Sequence, residues 1–196
     1  AGGHYATPKL VPALGLAPID LRMSQPGLKV LHIQEIDFRS SCPTFVSCLE
    51  QVRDWSDAHP DHLPITIQIE PKDDSIGDPA GLGFIDPLPW TTPAFADLED
   101  EIASVFPEER LIRPADVKGD HSTLREAVLE DGWPTLASAR GKVMFTLDDT
   151  GAERALYRAL HPDVSDRLIF AAAAPPDPEA AFVVMNDAHD TAAIQA

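Results

Sequence analysis

Short apolar strands alternate with amphipathic helices along the chain, and this alternation limits the possible folds more than any other feature. Strand patterns occupy residues 29–33, 64–70, 141–148 and 167–171, and a weaker apolar run at 182–185 is a further candidate. Helical spacing is found at 45–58, with Thr44 as N-cap, at 95–106, at 122–129, with Ser122 as the cap, and at 152–160. Strands that are joined by helices pair in parallel, so the sequence predicts an α/β fold, either doubly wound or a (β/α)8 barrel.

Two stretches are predicted to be irregular. Residues 1–27 lack periodicity and contain four prolines, and residues 71–94 are rich in proline and glycine but also contain large apolar side chains. An irregular segment as long as 71–94 within a compact domain is usually functional. The total length of 196 residues is typical of a single domain.

The charge and the missing motifs exclude several classes of function. There are 32 acidic against 15 basic residues, a formal net charge of -17, which argues against a nucleic-acid partner. No apolar run approaches the roughly 20 residues that span a bilayer. Neither the dinucleotide-binding nor the phosphate-binding glycine motif follows a predicted strand. The short His and Cys motifs typical of zinc sites are absent too, so zinc is not expected.

Polar side chains come at the ends of three predicted strands. They are His32, Glu70 with Lys72, and Asp148 with Asp149. In a parallel barrel the chemistry takes place at these ends. An imidazole could move a proton, carboxylates could hold a hard cation, and a lysine could meet a phosphate oxygen. Each has a plainer interpretation: a structural histidine, an ordinary Glu70–Lys72 ion pair, and two aspartates that open a turn before Gly151.

The other histidines give weaker indications of function. Three of them lie beside prolines in helix-to-strand connections, where a structural role is expected; these are His59, His62 and His161. The remaining three lie in predicted loops without a partner at a recognisable spacing; these are His4, His121 and His189.

Several blocks of sequence, in order, resemble the bacterial calcium-dependent phosphatidylinositol-specific phospholipases C. The blocks are residues 30–34 (Val-Leu-His-Ile-Gln), the helix from Phe45 to Trp55, residues 64–72 (Pro-Ile-Thr-Ile-Gln-Ile-Glu-Pro-Lys) and residues 133–145. Together the resemblance covers about residues 28–185. The family's first His-Asn block, the acidic pair that ends its second strand, and its closing strand have no counterpart here. The chain therefore resembles an internal fragment of the catalytic domain, about strands 3–7 of a partial (β/α)8 TIM barrel.

The resemblance implies a calcium-dependent phosphodiesterase of phosphoinositides that uses two histidines. His32 corresponds to the general acid and Glu70 to a Ca²⁺ ligand, while Lys72 and Asp148 are expected to bind substrate. The resemblance also implies transient contact with a membrane surface and export from the cell, with the signal peptide outside this chain. Two other functions stay open. One is a non-catalytic barrel module that binds a ligand or calcium. The other is a glycerophosphodiester phosphodiesterase, because that family also places Glu and Lys two residues apart after a strand.

The two cysteines are six residues apart, at 42 and 48. Within one regular helix their Cα atoms would be about 9 Å apart, too far for a bond. If Thr44 caps the helix, however, Cys42 precedes the cap and can fold back onto the first turn. Since the resemblance implies an exported protein, in which disulfides persist, we predict a Cys42–Cys48 disulfide rather than two buried thiols.

Overall fold

Three parallel strands form a sheet in the computed structural model, which describes residues 20–185 and 187–195. The strands are β1 (Ile65–Ile69), β2 (Val143–Leu147) and β3 (Ile169–Ala171), in the order β1-β2-β3. Phe145 of β2 pairs with Ile67 on one side and Ile169 on the other. β-Branched and aromatic side chains of this kind favour a pleated, buried surface. The prediction of an α/β fold with parallel strands is therefore confirmed for these three strands.

Seven helices lie within the described residues. They are α1 (Phe45–Ala58), α2 (Thr92–Val105), α3 (Pro114–Lys118), α4 (Leu124–Glu130), α5 (Leu136–Ala139), α6 (Ala152–Leu160) and α7 (Thr191–Gln195). Short 3-10 turns occupy Leu21–Ser24, Glu108–Arg110 and Val164–Asp166. The prediction for α6 is correct at both ends. The cap of α4 is wrong by one residue, because the hydroxyl of Thr123 rather than Ser122 accepts from the backbone N–H of Glu126 at 3.0 Å.

The chain divides into two compact units. The first unit comprises residues 1–62 and 71–110, of which the structure describes those from Asp20 onward. Its helices α1 and α2 pack against each other. Thr44 and Thr91 cap them by accepting a hydrogen bond from a backbone N–H three residues on, at 3.3 Å in each case. As the sequence predicts, α2 turns one apolar face inward, formed by Phe95, Leu98, Ile102 and Val105.

The second unit comprises residues 63–70 and 111–196. It contains the sheet and a consecutive β2–α6–β3 segment, the usual way to connect parallel neighbours. Tyr157 of α6 is fully buried, and its hydroxyl accepts from the N–H of Ile169 and donates to the carbonyl of the same residue. A separate apolar cluster joins α3 and α4 to strand β3; its buried members are Ile112, Val117, Leu124, Ala139, Val164 and Phe170.

Two predicted strands are wrong. Residues 29–33 pair with their own neighbours instead of the sheet: Lys29 bridges Thr44, and Ile33 bridges Asp37, both antiparallel. The apolar residue that suggested a strand, Leu31, packs instead on a small cluster with Met23, Phe38 and Ile85. Residues 182–185 also form no strand, although the carbonyl of Phe182 accepts a bond from the N–H of Ala173 at 3.3 Å.

The irregular segments largely follow the prediction. No helix or strand occurs between Glu70 and Thr91, and α2 begins at Thr92, slightly earlier than the predicted end of the loop at residue 94. Of the predicted loop 1–27, residues 1–19 lie outside the described residues, His4 among them, and Leu21–Ser24 forms a 3-10 turn.

Cys42 and Cys48 are joined by a disulfide, with their Cα atoms 5.0 Å apart. The bond links the segment just before the Thr44 cap to the first turn of α1. This placement follows the geometry expected from a cap at Thr44, since a regular helix through both cysteines would hold them too far apart.

Replacing both cysteines by serine is expected to lower the free energy of unfolding by about 2–3 kcal/mol, since the closed loop is short. The effect is measured by urea denaturation of the variant and of the parent. Thiol titration of the unfolded, unreduced parent is expected to give no reactive thiol. Two titratable thiols in that sample would contradict the disulfide.

Candidate functional site

His32 lies at the start of a tight turn that returns to Asp37. Its ring Nδ1 is 2.8 Å from the carboxylate Oδ2 of Asp37, and both side chains are 63% exposed. Backbone N–H groups of His32 and Ile33 donate to the carbonyl of Asp37, at 3.2 and 3.0 Å, which fixes the turn. The expected position of His32 at the end of a sheet strand is therefore wrong, since the turn replaces the strand.

The carboxylate of Asp37 sets the tautomer of His32. An ionised carboxylate only accepts hydrogen bonds, so Nδ1 carries the hydrogen and donates it. Nε2 is then the ring nitrogen that can exchange a proton with a bound molecule. An exposed ion pair of this type contributes little to stability, so the pairing matters for orientation more than for folding.

The two residues after Ile33 hold the following loop in place. Gln34 is 9% exposed, and its side-chain amide donates to the carbonyl of Asp74 at 2.8 Å. Glu35 is 1% exposed, and its Oε1 accepts from the backbone N–H of Ile85 at 2.9 Å. Glu35 also has a φ of 68°, a left-handed conformation that costs energy in a residue other than glycine. Gln34 and Asp74 are 40 positions apart in the chain, and Glu35 and Ile85 are 50 positions apart. No signal in the sequence marks either contact.

The irregular segment after Glu70 has a defined shape. The carboxylate of Asp73 accepts from the N–H of Trp90 at 2.8 Å and closes the base of the loop. Farther along, Asp78 accepts from three successive N–H groups, those of residues 82–84. These bonds, the one from Leu82 first, hold the pKa of Asp78 below its usual range. Lys72 is exposed on this ordered segment.

In the second unit, Glu70 and Asp148 follow two neighbouring strand ends. β1 and β2 end at the paired residues Ile69 and Leu147, so the two acidic residues come next on adjacent strands. The N–H of Asp148 donates to the carbonyl of Ile69 at 2.7 Å, which continues the pairing past the strand ends. Carboxyl ends of parallel strands meet at one edge, where ligands usually bind.

Asp149 has a structural role. Its Oδ1 accepts from the N–H of Gly151 at 2.9 Å and of Arg154 at 2.7 Å, at the start of α6. This is the turn-opening role that the sequence left open for the pair. Asp148 is therefore the residue of the two that stays a candidate for binding.

These side chains are of the type that binds calcium, but they supply too few oxygen ligands for a complete calcium site. Ca²⁺ takes six to eight oxygen ligands, and carboxylates such as that of Glu70 are its usual partners. Within residues 20–185 and 187–195, however, Glu70 belongs to no group of three or more His, Cys, Asp or Glu side chains with converging ligand atoms. Glu70 can supply one ligand, and the described residues do not complete the shell.

Three of the remaining histidines have the structural roles that the sequence predicts. His59 stacks on Trp55 at 4.3 Å, and its Nδ1 donates to the carbonyl of Trp55 at 2.7 Å. His62 is 2.6 Å from the hydroxyl of the buried Ser56. His161 packs edge-on against Tyr157, at 6.3 Å between ring centres.

The partners of His121 could not be found from the spacing of residues in the sequence. Its Nε2 is 2.8 Å from Asp131 and its Nδ1 is 3.7 Å from Glu130. The C-terminal end of helix α4 lies next to the loop that carries His121. No short sequence motif reveals such a contact.

None of the helices that the structure describes is both long enough and apolar enough to cross a membrane.

Comparison with known proteins identifies one family. The family model described as "Phosphoinositide phospholipase C, Ca2+-dependent" matches residues 1–196. No curated protein matches the chain significantly.

Several solved structures are similar. A Ca²⁺-dependent phosphatidylinositol-specific phospholipase C from Streptomyces antibioticus is 30% identical over 71% of this chain and 46% of its own, with a TM-score of 0.49. The calcium-dependent phosphoinositol-specific phospholipase C from Pseudomonas sp. is 24% identical in its apo form, over 65% of this chain and 41% of its own, with a TM-score of 0.48. A structure of the same Pseudomonas protein described as a myoinositol complex is 25% identical, with a TM-score of 0.49. The match covers 65% of this chain and 40% of the Pseudomonas chain. The chain thus spans less than half the length of these solved structures.

Proposed function

The chain belongs to the family of Ca²⁺-dependent phosphoinositide phospholipases C, and from this premise we propose that it contributes the general acid of an enzyme that cleaves a phosphodiester bond in phosphoinositides. The observation that carries this proposal is the exposed His32, held through Nδ1 by Asp37 at 2.8 Å. An oriented imidazole with its second nitrogen facing outward is what proton transfer to a leaving group requires.

In the proposed reaction, a hydroxyl next to the phosphate attacks phosphorus and forms a new P–O bond. The bond from phosphorus to the lipid alcohol breaks, and Nε2–H of His32 gives its proton to the departing oxygen. The attacking hydroxyl loses its own proton to a base that we assign to no residue of this chain. Asp37 accepts a hydrogen bond from Nδ1–H and so holds the ring in one orientation during the transfer.

Three further residues are proposed to assist. Glu70 would hold a calcium ion, with Asp148 on the neighbouring strand as a second polar group for the ion or the substrate. Bound calcium would offset negative charge on the phosphoryl oxygens. Lys72 would contact a phosphate oxygen as a point charge. Gln34 and Glu35, which bind the loop at Asp74 and Ile85, would keep the segment that carries Lys72 in position.

The activity is tested on the protein at its natural full length, with phosphatidylinositol in mixed micelles and Ca²⁺ present. Phosphorus NMR of the water-soluble product is expected to show a cyclic phosphodiester, because the attacking hydroxyl stays bonded to phosphorus. A phosphate monoester formed from the start would favour a glycerophosphodiesterase-type reaction instead. Calcium binding without turnover would favour a non-catalytic binding module.

Calcium binding to the 196-residue chain itself is expected to be weak, because Glu70, even together with Asp148, supplies too few of the six to eight oxygen ligands that Ca²⁺ takes. Isothermal titration calorimetry on this chain is expected to show no saturable heat at micromolar calcium. The variant Glu70→Gln is the matched control and is expected to behave like the parent in this range. A tight, stoichiometric site that disappears in Glu70→Gln would contradict the expectation.

The sheet is proposed to be an arc of a (β/α)8 barrel of the phosphodiesterase type. Support comes from family membership and from the parallel order β1-β2-β3, in which α6 connects two adjacent strands. Such barrels place polar residues at the carboxyl ends of their strands, as Glu70 and Asp148 are placed here.

We also propose that the protein works outside the cytoplasm, at a lipid surface. The disulfide between Cys42 and Cys48 supports export, because such bonds persist mainly in oxidising compartments. A lipid substrate requires transient contact with a membrane. Ile36 supports that contact, because it is 60% exposed within the turn that joins His32 to Asp37.

A further inference from the structure

A second group of metal-ligating side chains lies in the second unit, on residues that the proposed reaction does not use. His121, Glu126 and Glu130 each offer one ligand atom, and these three atoms lie within 4.8 Å of one another. Ligands about 2.0–2.1 Å from a tetrahedral zinc ion are separated by about 3.3–3.4 Å. Side-chain rotations that move each atom by about an ångström would therefore bring the three protein ligands to these distances.

The imidazole of His121 is already arranged to coordinate through Nδ1. Its Nε2 is 2.8 Å from the carboxylate of Asp131, so this nitrogen carries the hydrogen and donates it. Nδ1 faces Glu130, 3.7 Å from Oε2. A carboxylate that holds the outer nitrogen of a metal-bound histidine is the common arrangement around zinc, where it fixes the ring and strengthens the ligand.

Two like charges face this imidazole from one side of a helix. Glu126 and Glu130 are four residues apart on α4, a spacing at which carboxylates repel each other. Glu126 is partly buried, and its Oε2 accepts from the N–H of Ser122 at 3.1 Å, so it is held toward the His121 loop. A cation between the two carboxylates would remove their repulsion.

The surrounding charge favours a cation as well. The carboxylates of Asp131, Glu130 and Glu126 place three negative charges beside the imidazole of His121, and negative charge attracts a cation. His121 and Asp131 also line an open cavity of about 550 Å³ that extends to Trp133 and Thr135, so solvent or a small ligand could complete the coordination.

We propose that His121 Nδ1, Glu126 and Glu130 form a binding site for a divalent transition metal of the zinc class, with Asp131 orienting the histidine. A mixed nitrogen and carboxylate set with few protein ligands suits zinc better than calcium, which requires more oxygen ligands. The absence of a short zinc motif does not oppose the site, because a loop and a helix supply its ligands from positions five and nine residues apart.

The site is tested by titrating the full chain with Zn²⁺ in a calorimeter and with Co²⁺ by visible absorption. One ion per chain is expected, and excess Ca²⁺ is not expected to displace it. His121→Ala and Glu130→Gln should each weaken zinc at least tenfold, and Asp131→Asn about 10- to 100-fold. Glu130 is 63% exposed, so its variant is expected to remain folded, which circular dichroism checks.

Two matched variants separate this site from adventitious binding. His189→Ala removes an exposed histidine elsewhere, and Glu70→Gln removes the proposed calcium ligand; neither should change zinc affinity. Equal zinc affinity in the parent, His121→Ala and Glu130→Gln would overturn the proposal. So would the absence of a saturable site in the folded parent.

Discussion

Replacing Arg167 with methionine is expected to destabilise the protein by about 3–5 kcal/mol, because it removes the buried cation of an ion pair with the largely buried Glu179. The Arg167 side chain is only 2% exposed, and its guanidinium is 2.6 Å from Glu179, which is 12% exposed. The same guanidinium donates to the carbonyl of His161 and lies over the ring of Tyr157, 5.6 Å from the ring centre. The residual pair between Arg158 and Glu179, at 3.2 Å, compensates in part.

The loss is measured by urea denaturation followed by circular dichroism. Arg53→Met is the matched control, because Arg53 pairs with the exposed Asp54, and it should cost no more than about 1 kcal/mol. In the double variant Arg167→Met with Glu179→Met, part of the stability should return, since apolar pairs often replace buried ion pairs well. If Arg167→Met were as mild as Arg53→Met, the network would not contribute as described.

Local patterns in the sequence predict much of the fold because they report local physics. Thr44 can cap a helix wherever its hydroxyl reaches an N–H three residues on, and α1 begins there. The apolar stripe that begins at Phe95 is spaced for a helix, and the structure buries it. The run from Ile65 to Ile69 alternates as a strand does, and it pairs in parallel with β2.

The His32 turn could not be predicted, since long-range contacts determine it. Residues 33–37 contain no glycine or proline to mark a turn, and Glu35 adopts a positive φ that its residue type disfavours. The hydrogen bonds from Gln34 to Asp74 and from Ile85 to Glu35 hold that conformation. An apolar run such as 29–33 looks like a strand because local periodicity does not show which surface it packs against.

The same limit applies to the proposed site. Glu70 and Asp148 are 78 residues apart in the chain, yet the β1–β2 register places them on adjacent strand ends. A sequence pattern reveals each strand end but not which strands are neighbours. Asp37 as the partner of His32 depends on the same unpredicted turn, so the residue was missed even though it lies only five positions away.

Replacing His32 with alanine in the full-length protein is expected to lower turnover by about 10²–10⁴-fold, the usual share of a positioned proton donor. The melting temperature should change little, because the side chain is 63% exposed and its ion pair with Asp37 is a surface pair. Asp37→Asn should give a smaller loss, since an amide oxygen still accepts from Nδ1–H but forms a weaker hydrogen bond than a carboxylate. His189→Ala is the control for removal of an exposed histidine and should leave turnover intact. Near-normal turnover in His32→Ala, with the protein folded, would show that His32 is not the proton donor and that its pairing with Asp37 serves only the turn.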